Sequence, residues 1–168
     1  MTTRITRRAA ILLLPGLATA VCAAAQARAG VRVVPHAALQ ALLPAMPGWQ
    51  RGQPQGETDT AESVSRVTVD YSKGPSRISV EFMDSSLNEA VLALIKEAIK
   101  GQNPEMKPTT LAGFPGAEEW VKESLQGAVH VLVAGRFMVV VSGEGVPDLA
   151  TVRKAAETID LQKMAALK

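Results

Sequence analysis

Two histidines, one cysteine and 16 carboxylates are the side chains from which a catalytic or metal site would be assembled in this 168-residue chain. Imidazole can come only from His36 and His130, and one thiol cannot supply a multi-thiolate metal site. His130 lies in a run of valines, where a core histidine hydrogen-bonded to a backbone carbonyl or a nearby carboxylate explains it better than a metal ligand. Glu118 and Glu119 look like an acid–base pair, but adjacent strand residues point to opposite faces and cannot converge on one bond. Asp70 and Glu81 are expected to share a solvated face without a nucleophile beside them. Ser142-Gly143-Glu144-Gly145 lacks the Lys and Ser/Thr of a phosphate loop, and there is no Gly-x-Ser-x-Gly elbow. No catalytic residue, metal site or cofactor is therefore expected.

The tryptophans are more informative. Trp49 sits in Pro47-Gly48-Trp49-Gln50-Arg51, and Trp120 follows the two glutamates. The simpler reading has both rings capping the ends of a small core. The functional alternative has Trp49 and Trp120 walling an apolar groove, with Arg51 or Arg136 as its polar contact.

Residues 1–29 read as a secretory signal rather than as structure. Arg4, Arg7 and Arg8 precede an apolar stretch from Ala9 to Ala25, and Ala25-Gln26-Ala27 and Ala27-Arg28-Ala29 are both cleavage patterns. Thr6-Arg7-Arg8-Ala9-Ala10-Ile11-Leu12 looks like a twin-arginine export signal, although Sec signals also carry adjacent arginines. Cys22 would be the site of a lipid anchor, against which stands the preceding Thr19-Ala20-Val21. The whole chain has 18 basic and 16 acidic residues; without the four arginines of the signal the remainder has 14 basic, a net charge of −2. A nucleic-acid partner is thus not expected, and neither is a membrane span in the mature chain. The expected location is periplasmic or extracellular.

Positioning these residues falls to a single α+β domain over residues 30–168, with an antiparallel sheet of about five strands packed with helices. His36 to Met46 reads as a helix, and Pro47 to Gly56 as a loop. Ser63 to Tyr71 and Arg77 to Asp84 alternate apolar and polar residues, and a loop over Lys73 to Ser76 pairs Tyr71 with Ile78, Val69 with Val80 and Val67 with Phe82. Ser86-Leu87-Asn88-Glu89 is a capping box opening a helix that ends at Gly101, with Leu94 and Ile95 on its apolar stripe. Gln102 to Thr110 reads as a polar loop, Leu111 to Gly116 contains a turn, and Ala117 to Lys122 is a short strand. Val129 to Ala134 and Phe137 to Ser142 form a second hairpin about Gly135-Arg136, with His130 opposite Val141 and Val131 opposite Val140. Both its faces are apolar, which places it at the sheet centre. Pro147 to Ile159 forms the closing helix, and Asp160 caps a last turn carrying Leu161, Met164 and Leu167. The expected core comprises Val67, Val69, Tyr71, Ile78, Val80, Phe82, Leu94, Ile95, Leu132, Val139, Val152 and Ile159.

The Pro47-Gly48-Trp49 loop, the Gly113-Phe114-Pro115-Gly116 to Trp120 segment and the HVLVAGRFMVVVSGEG hairpin resemble a small exported bacterial family of unknown function over residues 44 to 168. The order of elements is similar to that of PsbP/Mog1-like domains, which implies a binding or assembly module and transfers no functional residue. The expected function is that of an exported, non-catalytic module binding an envelope protein or a small apolar ligand. The alternative is a small hydrolase or isomerase working through carboxylates.

Overall fold

The computed structural model describes residues 32–85, 93, 97 and 106–168. The signal segment with Cys22, and Leu94 and Ile95 of the expected core, lie outside the described residues. So does the helix expected from Ser86 to Gly101, apart from Ala93 and Glu97, which are helical and exposed.

The architecture corrects the expectation of about five strands packed with helices. The described residues form one antiparallel sheet of eight strands with three short helices around it, apart from the helical positions Ala93 and Glu97. In chain order these are α1 (His36–Gln40), β1 (Gln50–Arg51), β2 (Gln55–Asp59), β3 (Val64–Lys73), β4 (Ser76–Ser85), β5 (Met106–Leu111), β6 (Phe114–Val121), β7 (Gln126–Val133), β8 (Phe137–Glu144), α2 (Leu149–Ala156) and α3 (Leu161–Ala165). The sheet runs β1-β3-β4-β8-β7-β6-β5, with β2 also on β3. The three unforeseen strands are all at edges, where a strand needs no apolar alternation. The sequence of β2, Gln-Gly-Glu-Thr-Asp, is almost wholly exposed, and β1 is two residues long. In β5 Pro108 cannot donate to a ladder, a loss that an edge strand tolerates.

The first hairpin forms in the expected register, with Val67 opposite Phe82, Val69 opposite Val80 and Tyr71 opposite Ile78. Its strands run further than expected, so only Gly74 and Pro75 remain as the turn. The second hairpin does occupy the sheet interior, but its register differs from the expected one. Val133 rather than Ala134 pairs with Phe137, and Ala134-Gly135-Arg136 form a three-residue loop with Ala134 and Gly135 at positive φ. One residue of slip exchanges the two faces of a strand. The observed pairing sets Val129, Val131 and Val133 beside Val141, Val139 and Phe137 on one face. Leu132 thereby leaves the main core and joins Met138, Met83 and Val140 in a smaller cluster on the other face.

Against the main apolar face pack α1, α2 and α3. Asp148 opens α2 by accepting from Thr151 N at 2.8 Å, and Asp160 opens α3 by accepting from Lys163 N at 3.0 Å. Gly143 allows the close approach of α2: a Cβ there would lie 2.7 Å from Val152 Cγ2 and 2.9 Å from Val146 Cγ2. Among the described residues no helix is long and apolar enough to cross a membrane.

His130 lies on the opposite face, between Ala117 and Val140. The expected hydrogen bond is absent: Nε2 is buried without a partner, and Glu119 Oε1 is 3.8 Å away. Burial is the larger influence and pulls the imidazole pKa below its ordinary value, with the charge of Glu119 opposing it. The fold thus favours the neutral ring, whereas the unfolded chain binds a proton below about pH 6.5. His130 therefore adds stability above that value and loses it as the pH falls toward the lowered folded-state pKa. The urea midpoint should fall between about pH 7.5 and pH 5.5, and His130→Gln should flatten that fall. An unchanged slope in the variant would show that another group titrates.

Candidate functional site

Trp49 is placed by a turn and an edge pairing. Its N–H donates to Met46 O at 3.1 Å, with Pro47 and Gly48 (φ 82°) at the two centres of the turn. Proline followed by glycine at positive φ is the type II pattern. Immediately afterwards Gln50 and Arg51 pair with Ser72 and Tyr71, and Gly52 N donates to Asp70 O at 2.7 Å. The preceding segment is held by the buried Tyr71, whose hydroxyl donates to Pro44 O at 2.6 Å. Burial raises the phenol pKa, with Arg51 opposing.

The half-buried indole thereby forms one wall of an open cleft of about 520 Å³. Its apolar lining includes Met46, Pro47 and Ile78, and α2 contributes Thr151, Lys154 and Ala155. Lys73 and Ser76 come from the tip of the β3–β4 hairpin. Ser76 Oγ donates to Gly145 O at 2.7 Å, which ties that tip to the segment leading into α2. The cleft is therefore walled by three elements that are distant in sequence.

Only Trp49 of the four candidate residues lines this cleft. Arg51 lines a neighbouring hollow around the hairpin tip, together with Asp70 and Arg77. Trp120 is on β6, with its ring over Gly127 of β7, where an added Cβ would meet Cε3 at 2.7 Å. It lines a separate recess of about 360 Å³ with Lys107, Glu118 and Leu149. Helix α2, packed over β7 and β8, stands between the two tryptophans.

Arg136 belongs to the opposite end of the sheet. Its Nε and Nη2 donate to Asp84 Oδ1 and Oδ2 at 2.8 and 2.7 Å, Nη2 also reaches Arg32 O at 2.9 Å, and the guanidinium carbon is 4.8 Å from the Phe137 ring centre. Asp84 is fully buried and also accepts from Val34 N at 2.6 Å. This bidentate pair holds the segment before α1 to the sheet. Arg136 is thus a structural anchor, far from either tryptophan recess.

The carboxylates singled out earlier face separate partners. Glu118 and Glu119 do point to opposite faces: Glu118 Oε2 is 2.9 Å from Arg153 Nη1, and Glu119 lies beside His130. Glu81 pairs with Arg66 at 3.0 Å. Asp70 pairs with Arg77, whose hydrogen bond holds the Asp70 carboxyl below its usual range. His36 is engaged by Thr58, which receives its backbone N–H at 2.8 Å and lies 3.0 Å from Nδ1. Among the described residues no three His, Cys, Asp or Glu gather as a metal site. Lys73 and Lys154, by contrast, line the cleft and have no sequence motif. They are brought together by the docking of α2 beside the hairpin tip.

Removing Arg136 would leave the carboxylate of Asp84 buried and uncompensated. Arg136→Met should cost about 3–5 kcal/mol in urea unfolding. Adding Asp84→Asn should recover part of that loss; an additive further loss would show that the ion pair is not the anchor.

No protein-family model, no curated protein and no solved structure matches the chain, so the candidate site stands on its own geometry.

Proposed function

We propose that this is an exported, non-catalytic module that binds a small, largely apolar ligand in the cleft walled by Trp49. The observation that carries this reading is the cleft itself: a large aromatic side chain held half-exposed by a type II turn, beside an open space of about 520 Å³ that Met46, Pro47 and residues of α2 also line. That volume lies within the usual range for small-molecule sites, which are mostly apolar with a few polar groups. The flanking turn and edge strand hold Trp49 before any ligand arrives, which lowers the ordering cost of binding. A core-capping role requires only the buried part of the ring and assigns no use to the open space beside it.

A neutral apolar fluorophore, N-phenyl-1-naphthylamine, is expected to bind the chain with a blue-shifted emission. Trp49→Ala should weaken that binding about tenfold, as loss of an aromatic anchor does. Trp120→Phe should leave it unchanged, because Trp120 lies across α2. Equal affinity in the Trp49 variant would refute this site.

The export half of the reading is supported by the order of basic, apolar and cleavage segments in residues 1–29. Intact-mass analysis of the envelope fraction should find a chain beginning after Ala27 or Ala29. Retention of Met1 to Ala25 would refute export by this signal, and a diacylglycerol adduct on Cys22 would establish an anchored form instead.

A further inference from the structure

We infer that the ligand of the Trp49 cleft is an amphipathic anion, with its carboxylate held by Lys73 and Lys154 and its apolar body against Trp49, Pro47 and the edge of Met46. This rests on the cleft reading above and adds the charge of the occupant.

Among the described residues Lys73 and Lys154 are the charged side chains lining the cleft, and no carboxylate lines it. Each lysine has an acidic neighbour nearby in sequence that is already committed elsewhere. Glu157, three residues after Lys154 at the C-terminal cap of α2, is drawn to Arg153 with Oε1 3.4 Å from Nε. Asp70, three residues before Lys73, is drawn to Arg77 across the β3–β4 ladder. Among the described residues neither lysine makes an ion pair.

The two lysines come from different elements, one from the hairpin tip and one from α2, and share the cleft with the apolar residues of its lining. Two like charges beside one cleft repel each other, and a bound anion relieves that repulsion. The apolar surface at Trp49, Pro47 and the edge of Met46 is of no use to a bare inorganic ion. The two features together specify a carboxylate carrying an alkyl or aryl body. A neutral apolar molecule would leave both lysines uncompensated, and a cationic amphiphile would add a third positive charge.

The test is calorimetric titration of the full chain with four probes: decanoate, decanol, decyltrimethylammonium and acetate. Decanoate should bind about tenfold or more tightly than decanol, since a charge-assisted contact is worth that factor, and added salt should narrow the gap. Acetate and decyltrimethylammonium should bind far more weakly. The double variant Lys73→Gln/Lys154→Gln should bind decanoate only as tightly as decanol, with decanol affinity unaltered. Equal binding of decanoate and decanol by the unmodified chain, or an unchanged preference in the double variant, would overturn the charge assignment and leave the cleft reading standing. If no amphiphile binds, or if Trp49→Ala binds every probe as the unmodified chain does, the cleft reading falls and this inference with it.

Discussion

The pairing register across β3, β4, β8 and β7 is the constraint on which the rest of the molecule depends. It gathers Val67, Val69 and Tyr71 with Ile78, Val80 and Phe82, and continues through Val139 and Val141 to Val129 and Val131 on a single face. A shift of β4 by one residue would turn Ile78, Val80 and Phe82 toward the other side, and full burial of such a side chain is worth about 1.5–3 kcal/mol. That energetic gap leaves one face as a dry platform for α1, α2 and α3. The opposite face keeps polar residues over β3 and β4, with a small apolar cluster at Met83, Leu132, Met138 and Val140.

Two kinds of attachment hold the connecting segments to the platform, one at each end of the sheet. At the Asp84 end the attachment is electrostatic: a buried carboxylate accepts from Val34 N and from Nε and Nη2 of Arg136. A buried charge is tolerated there because its acceptor sites are met by donors of opposite charge or by a main-chain N–H. At the Tyr71 end the attachment is by neutral hydrogen bonds, from Tyr71 to Pro44 O and from Ser76 to Gly145 O, together with close packing. Gly143 lets α2 sit close to β8, and the turn at Pro47-Gly48 directs the chain into the short pairing of β1 with β3. The cleft lies at this second end, where the hairpin tip, the Trp49 turn and α2 approach without filling the space between them.

The position of α2 also explains why the tryptophans act separately. The helix covers β7 and β8, so Trp49 over the β3–β4 side and Trp120 on β6 are divided by it. Its polar residues are divided in the same way. Arg153 reaches toward β5 and β6, where Thr109 Oγ1 and Glu118 Oε2 accept from it at 2.7 and 2.9 Å. Lys154, one residue on, lines the Trp49 cleft instead. Adjacent residues on a helix are about 100° apart, enough to give neighbouring cations entirely different surroundings.

Strong alternation made the first hairpin legible in the sequence down to individual pairs, because only one register buries six apolar residues together. Asp160 was legible as the cap of the last helix, whereas the helix expected from Pro147 to Ile159 is shorter and is opened by Asp148. The edge strands were not legible. Gln55–Asp59 carries no periodicity, and its pairing is imposed by the unfilled backbone groups of β3. The second hairpin misled because either register places apolar residues on both faces, and only the three-residue loop decided between them. Of the candidate site, Trp49 was legible as a large apolar ring beside a Pro-Gly turn. Its separation from Trp120, the loss of Arg136 to Asp84 and the arrival of Lys73 and Lys154 at the cleft were not. Local chemistry and spacing determine turns, caps and strongly alternating strands, because those depend on residues near one another in the chain. Which polar side chains share a cleft depends on how α2 docks across the sheet, a contact between segments dozens of residues apart, and only the tertiary structure decided it.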